Sequence, residues 1–433
     1  MNIVIIGNGI TGITCARNIR KQLSDVRITV ISGESDYFYS RTALMYIYMG
    51  HMKFENTKPY EDWFWQKNRI DLVKSHVTCL NTDSKSIELD TNRTISYDKL
   101  IIASGSKPNK SGLRGENLKG VQGLYNLQDL KEMTLNTSEI NSAVVVGGGL
   151  IGIEMAEMLH SRNIDVTMIV REKAYWNNVL PLEEAKLISR HISAHGINVL
   201  LETELKEFIP DENGRVKAVQ TDSDKIIPCQ FAGVTIGVSP NIDFLKESPL
   251  ETDRGILVNE YLETNIPDVY AAGDCAQFRN PKAGHPAIEQ LWYTGKMQAE
   301  ALAEIIYGNK KVYNRGIWFN SAKFFNIEYQ TYGEVNPELN DHTQSFYWEH
   351  PNGNLAFRAN FSKVSKCIKG FNFLGIRFRQ VIAEDWIRNH KTIEYVIENL
   401  NQGWFDPEFS IPYYNDIKHM FSISENNNTF CTD

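Results

Sequence analysis

The chain is 433 residues long, 42% hydrophobic and 23% charged, the balance of an ordinary water-soluble globular protein. That length predicts two or three domains, each with ample core. A formal net charge of −8 argues against nucleic acid as a global partner.

Residues 3–12 read Ile-Val-Ile-Ile-Gly-Asn-Gly-Ile-Thr-Gly. This predicts a strand over Asn2–Gly7, a helix over Ile10–Gln22 and a second strand over Arg27–Ser32. Gly7, Gly9 and Gly12 make G-x-G-x-x-G at the strand-to-helix junction. The first glycine allows a tight turn, the second a close approach of backbone to a pyrophosphate, and the third close packing of helix on strand. Glu34 follows the second strand at about the distance where an acid takes a ribose diol, and it also reads as a loop carboxylate. The stretch Tyr37–Gly50 is too aromatic for a solvent loop. Within it Arg41 has two open readings, a partner for a phosphate or anionic ring edge and a stem packed on aromatics. The cluster Trp63-Phe64-Trp65 reads best as plain core.

Short β pieces are expected from Ile70 to Ile95, then a strand entering the turn Ala103-Ser104-Gly105. The Gly-, Lys- and Asn-rich stretch Asn109–Gly123 suggests a domain boundary. A second unit follows. Ala143 to Val146 reads as a buried strand, Gly147, Gly149 and Gly152 repeat the first motif 140 positions on, and a helix is expected over Ile151–Ser161. Two such units predict two bound dinucleotides. Asp165–Val170 reads as a strand, Pro181–His195 as an amphipathic helix, and Ile197–Leu201 and Val216–Thr221 as strands. Phe231–Asn241 closes the unit as a strand and breaker, with Gly237 counted among the cofactor-binding positions.

Val269–Ala272 is strand-like and leads into Gly273-Asp274, where an acid at a strand end accepts from a sugar-alcohol hydroxyl or caps a helix. A helix is expected over His285–Gly308. Beyond about residue 310 dense aromatics and alternation predict an antiparallel third domain, then helices near Gly375–Asn401 and a frayed tail from Ser422. The six cysteines, Cys15, Cys79, Cys229, Cys275, Cys367 and Cys431, are scattered without a C-x-x-C pair, so neither a zinc site nor a disulfide scaffold is expected. The sequence opens on a strand, with no basic-then-apolar leader pattern and no apolar run of transmembrane length. A cytoplasmic, reduced protein without a membrane span is expected.

In this order the motifs resemble the two-dinucleotide flavoproteins of the pyridine nucleotide-disulfide oxidoreductase family. The motifs are Gly7-x-Gly9-x-x-Gly12, Ala103-Ser104-Gly105, Gly147-x-Gly149-x-x-Gly152 with Glu154, and Gly273-Asp274. The resemblance implies an α/β fold with two Rossmann-like domains, the second inserted in the first, plus a C-terminal α+β interface domain. It implies FAD on residues 1–112 and 250–310, NAD(P)H on 113–249, and the interface domain on 311–433, through which a homodimer would form. Asp274 would hold the FAD ribitol, Glu34 the adenosine ribose, and Glu154 would lie near the nicotinamide. Tyr39-Ser40-Arg41-x-x-Leu44, and Trp292 with Gln298, are similar to the rubredoxin and ferredoxin reductase branch, which includes the flavin module of nitrite reductases.

Two departures matter. Leu44-Met45-Tyr46 stands where many members have Leu-Ser-Lys, so a lysine is missing. Residues 36–60 contain no cysteine, and disulfide exchange needs a thiolate there, so a disulfide-reducing role is rejected. The chemistry belongs to the cofactors, so no catalytic triad or metal is expected. For the donor, Arg171 after Val170 suits a 2′-phosphate. Glu172 one step on and Gly152 favour NADH, and the balance leans to NADPH. For the acceptor, Arg358, Lys363, Lys366, Lys369, Arg377 and Arg379 interleave with Phe361, Phe371, Phe373 and Phe378. This patch would steer a small acidic electron carrier such as rubredoxin or ferredoxin, and it also reads as the charged outer face of a sheet. Oxygen or a quinone as acceptor, and a redox-gated interaction flavoprotein, are the alternatives.

Overall fold

The computed structural model describes residues 1–406, 408–427 and 430. Cys431 lies outside the described residues. Two compact units emerge, each assembled from separated stretches of chain. The first comprises Met1–Ser111, Gln122–Ser138 and Ile236–Arg315, and the second Gly112–Val121, Glu139–Thr235 and Gly316–Asp433. No helix among the described residues is long and apolar enough to cross a membrane.

The first unit is built on a five-stranded sheet in the order Val269–Ala271, Lys99–Ile102, Asn2–Ile6, Arg27–Ser32, Ile70–Lys74. Every pairing is parallel, with Ile3 opposite both Ile28 and Lys99. A parallel sheet is covered on both faces, so its strands read as continuous apolar runs. Ile3, Val4, Ile5, Ile28, Val30, Leu100 and Ile101 accordingly share one core. The helix Ile10–Gln22 packs against Trp292–Tyr307. Small residues allow the close crossing: a Cβ at Gly295 would stand 2.6 Å from the Thr11 hydroxyl.

The second unit repeats the plan. Its sheet runs Asn198–Leu200, Asp165–Ile169, Ser142–Val146, Phe231–Val234, Val121–Gln122, and the first four strands are parallel. The same unit holds a five-stranded antiparallel sheet in the order Phe319–Phe324, Ile327–Gly333, Ile368–Leu374, Ala356–Ser362, Thr343–Glu349. Helices Gln380–Arg388, Ile393–Glu398 and Tyr414–Asn427 follow it.

Four expectations are corrected. The helix expected from His285 begins at Trp292. Pro286 disfavours helical backbone at His285, and Glu289 is buried with its carboxylate facing Gln298 instead. Phe231–Asn241 is two strands, Phe231–Val234 and Val238–Pro240, parted at Gly237 with φ +97°. The stretch from Ser422 is not frayed as far as Asn427. It continues the helix Tyr414–Asn427, whose Ile417 and Phe421 are buried one turn apart, with Phe421 edge-on to Phe346 at 5.2 Å.

The basic patch is also smaller than the sequence suggests. Arg358 is 2% exposed and pairs with Glu183 at 2.8 Å and Glu184 at 3.2 Å. Phe361, Phe371, Phe373 and Phe378 are core, not surface. Both faces of these strands are covered: Phe357 and Phe373 pair on one face, while Arg358 and Asn372 pair on the other and are buried against Glu184.

Candidate cofactor sites

In the first unit the glycine loop joins Asn2–Ile6 to Ile10–Gln22. A Cβ at Gly7, where φ is +110°, would stand 2.1 Å from the Ala103 carbonyl. A Cβ at Gly12 would stand 1.9 Å from the Gly7 carbonyl. Only glycine fits at either position. At Gly9 a Cβ would meet nothing within 4 Å, so open space lies before the helix. That helix has no side-chain cap and no acid in its first turn, which leaves its N–H donors free for an anion.

Glu34 stands just past Arg27–Ser32. It accepts from the Leu127 N–H at 3.3 Å, from the Tyr39 hydroxyl, and from Arg41 at 2.5 Å. The two residues given separate roles by sequence are therefore a pair. Arg41 also donates to the Tyr125 carbonyl at 2.5 Å, with its guanidinium 4.6 Å from the Tyr125 ring. The Tyr125 hydroxyl accepts from Ser106 N–H at 3.0 Å. Ser106 Oγ donates to Asp274 at 3.0 Å and accepts from Gln290 at 2.9 Å. Burial pushes the Asp274 carboxyl above its ordinary range, opposed by Ser106 and Arg41. A line of polar groups thus runs from Glu34 to Asp274.

Ser104 donates to the Asn241 carbonyl at 2.7 Å, and Gly105, with φ +72°, accepts from the Asn241 N–H at 2.9 Å. The Gly237 carbonyl accepts from Asn109 at 3.0 Å, so this glycine turns the chain beside the Ser106–Pro108 strand. Gly273 donates to Gln298 at 2.7 Å, and Gln298 donates to the buried Glu289 at 3.1 Å. Trp292 opens the helix Trp292–Tyr307 and is 40% exposed.

The second unit repeats the cradle. A Cβ at Gly147 would stand 2.3 Å from the Thr235 carbonyl, one at Gly152 2.5 Å from the Gly147 carbonyl, and one at Gly149 would meet nothing within 4 Å. The helix Leu150–His160 again lacks a side-chain cap. Glu154, one turn in, is pushed up to about 7 by burial and then by the charge of Glu157. Glu157 pairs with Lys323 at 3.4 Å. Arg171 is exposed and bound to Glu172 at 2.9 Å. Glu172 turns back toward the glycine loop, its Oε2 lying 3.5 Å from where a Cβ of Gly148 would be.

The donor set suits two dinucleotides. Each unit offers an open glycine cradle at an uncapped helix end, with Glu172 beside the second loop and Ser35, next to Glu34, bonded to Asn8 of the first. Three of the thiols, Cys15, Cys229 and Cys275, are buried and unsuited to exchange chemistry. Cys15 and Cys275 are buried and pushed up by burial, and Cys229 rises to about 12 for the same reason. Sequence reasoning missed Tyr125, which is joined to Arg41 across 84 residues, and Tyr175, whose hydroxyl reaches the Gly149 carbonyl. A signal existed for both. Tyr125 directly precedes the capping box Asn126–Asp129, and Tyr175-Trp176 is an aromatic pair in a loop.

The model of the family described as pyridine nucleotide-disulphide oxidoreductase matches residues 1–298. The chain belongs to that family. Within it, the chain is 31% identical to rhodocoxin reductase of Rhodococcus erythropolis over 327 residues, 75% of this chain and 76% of the relative. It is 28% identical to nitrite reductase (NAD(P)H) of Bacillus subtilis over 337 residues, 77% of this chain. The match spans about two-fifths of that nitrite reductase, 41% of its length. The solved structure of an NAD-dependent persulfide reductase from A. fulgidus aligns with TM-score 0.85 at 22% identity, covering 99% of this chain and 84% of that one. At that identity the likeness is one of fold, and it agrees with the two Rossmann-like sheets. The family and the fold class read from the glycine motifs therefore stand.

Proposed function

We propose that the chain is an FAD-dependent NAD(P)H oxidoreductase that passes electrons to a small carrier protein. The observation that carries this reading is the duplicated cradle, one in each unit, with Glu172 beside one loop and Glu34 next to Ser35, which Asn8 of the other loop bonds. When bound, the flavin accepts a hydride from the nicotinamide and releases electrons onward. The chain's own residues bind, orient and shield. On this reading the first unit takes FAD and residues 139–235 of the second take the nicotinamide nucleotide. The Gly9 and Gly149 cradles and the helix ends behind them receive the two pyrophosphates. Glu34 accepts from the adenosine ribose, and Asp274 accepts from the ribitol chain. Ala103, Ser104 and Gly105 floor the flavin side, with Gly237 turning the chain toward them and Trp292 at the head of its helix. Glu154 faces the nicotinamide.

The sequence leaned to NADPH through Arg171. The side-chain geometry supports NADH instead, because Glu172 lies beside the glycine loop while Arg171 points outward and is bound to Glu172. A carboxylate there accepts from a ribose diol and repels a 2′-phosphate. Glu172→Gln is expected to raise the KM for NADH about tenfold, the size of one charge-assisted hydrogen bond, and to narrow the preference over NADPH. Steady-state kinetics with both donors test this. An unchanged NADH to NADPH ratio contradicts it.

The relative named rhodocoxin reductase supports a carrier protein as acceptor, and Lys363, Lys366 and Lys369, gathered beside the start of the Thr343–Glu349 strand, support an acidic one. Carrier reduction should weaken steeply with added salt, and a salt-insensitive rate argues against docking there. NADH oxidation followed by oxygen uptake, with and without a rubredoxin-type carrier, separates this reading from an oxidase. Rapid carrier-free oxygen consumption would favour the oxidase. The reading includes a cytoplasmic homodimer. Exposed Val381, Phe409 and Ile411 on the C-terminal stretch support self-association, which sedimentation checks.

A further inference from the structure

The C-terminal sheet has no part in donor binding in the reading above, yet within the second unit it reaches the glycine loop. Tyr175 stands between Asp165–Ile169 and Leu182–Ala194 and is fully buried. Its hydroxyl donates to the Gly149 carbonyl at 2.5 Å. That carbonyl also accepts from Ile153 N–H at 3.2 Å, at the start of the helix. The Tyr175 ring meets Phe324, the last residue of Phe319–Phe324, with centroids 6.1 Å apart at 80°. Trp176 meets the same Phe324 at 5.5 Å and Tyr329 at 5.7 Å. Trp176 holds φ at +60°, a strained backbone for a bulky residue that persists only where its surroundings enforce it. Here the rings of Phe324 and Tyr329 pack edge-on against the Trp176 side chain.

A second brace holds the backbone. Tyr175 N–H donates to Ser189 Oγ at 2.8 Å on the helix Leu182–Ala194. That helix is tied to the sheet through the fully buried Glu184, which accepts from Asn372 at 3.0 Å and pairs with Arg358.

The peptide joining Gly149 to Leu150 is planar and trans, so its C=O and N–H point in opposite directions. Holding the carbonyl therefore aims the Leu150 N–H, one of the helix's unpaired N-terminal donors. The geometry points to Tyr175 as a positioning residue for the nicotinamide nucleotide, set in place by the C-terminal hairpin through Phe324. The inference rests on the reading of Gly147–Gly152 as the nucleotide loop. It gives the C-terminal sheet a share in donor binding.

The test uses the full-length flavin-loaded protein. Tyr175→Phe removes one oxygen and keeps the ring. Calorimetric titration with NAD+ should show about fivefold weaker binding, the size of one neutral hydrogen bond. The KM for NADH should rise by more than kcat falls. Without any nucleotide, amide exchange of Leu150–Ile153 should quicken in the variant. Phe324→Leu should weaken NAD+ binding, and the double variant should bind no more weakly than Tyr175→Phe alone. Wild-type exchange and affinity in Tyr175→Phe would overturn the positioning role. Additive losses in the double variant would overturn the part assigned to Phe324. Wild-type protein that binds no NAD+ while Tyr175→Phe still quickens exchange would instead overturn the nucleotide reading, and the inference with it.

Discussion

Glu154→Gln should resist unfolding better than the wild type at pH 8 and match it at pH 4. Glu154 rises from an ordinary 4.5 to about 7 in the folded chain, by burial and then by the charge of Glu157. Between those values the folded chain binds more protons than the unfolded one. Stability at this site therefore falls as pH rises through the window, and the cost is complete above it. The size is about 3 kcal/mol, from the energy of each pKa unit. Glutamine never ionises, so the variant lacks that loss. Guanidinium midpoints at pH 4, 6 and 8 test this. The same difference at all three would contradict it. On the proposed reading, in which Glu154 lies near the nicotinamide, donor binding should carry a pH step near 7.

Asp274→Ala should lose flavin, with affinity falling roughly 10- to 100-fold, the range for removing a charged acceptor from a buried hydroxyl. The backbone around it should stay in place. Gly273 is held by Gln298, Gln298 by Glu289, and Glu289 by Tyr313 at 2.9 Å and Arg315 at 3.2 Å. The substitution thus removes a carboxylate, not a loop. Because burial raises Asp274, its loss should leave the flavin-free protein at least as stable as flavin-free wild type at neutral pH. Flavin content after gel filtration and melting of both flavin-free proteins decide it. Full flavin retention by the variant would remove Asp274 from the site.

Much of the fold was legible because its constraints are local. Gly7 and Gly147 turn a strand into a helix, and the apolar runs at Ile3–Ile6 and Ala143–Val146 have the pattern of strands buried on both faces. Those signals need only adjacent residues. Other features depend on partners far along the chain. Arg41 read either as a phosphate or anionic-ring partner or as a stem packed on aromatics, but nothing nearby shows that Glu34 and Tyr125 meet it. Arg358 looked like a surface cation until strand pairing turned it inward to Glu184. The stretch from Ser422 looked like a loose tail, although Ile417 and Phe421 just before it have the spacing of a helix face that continues to Asn427. The helix expected from His285 ran too far because its apolar periodicity continues through a stretch where Pro286 breaks it and Glu289 turns inward. The direction of a side chain beside a loop, as with Glu172 and Tyr175, is set by packing that no sequence window contains.

The central claim is that one chain holds both a flavin and a working hydride donor site. Anaerobic titration of the purified protein with NADH, and separately with NADPH, tests it most directly through the visible flavin absorption. The account predicts bound flavin that is rapidly bleached by one equivalent of NADH and more slowly by NADPH. Flavin that stays oxidised with both nucleotides would contradict it.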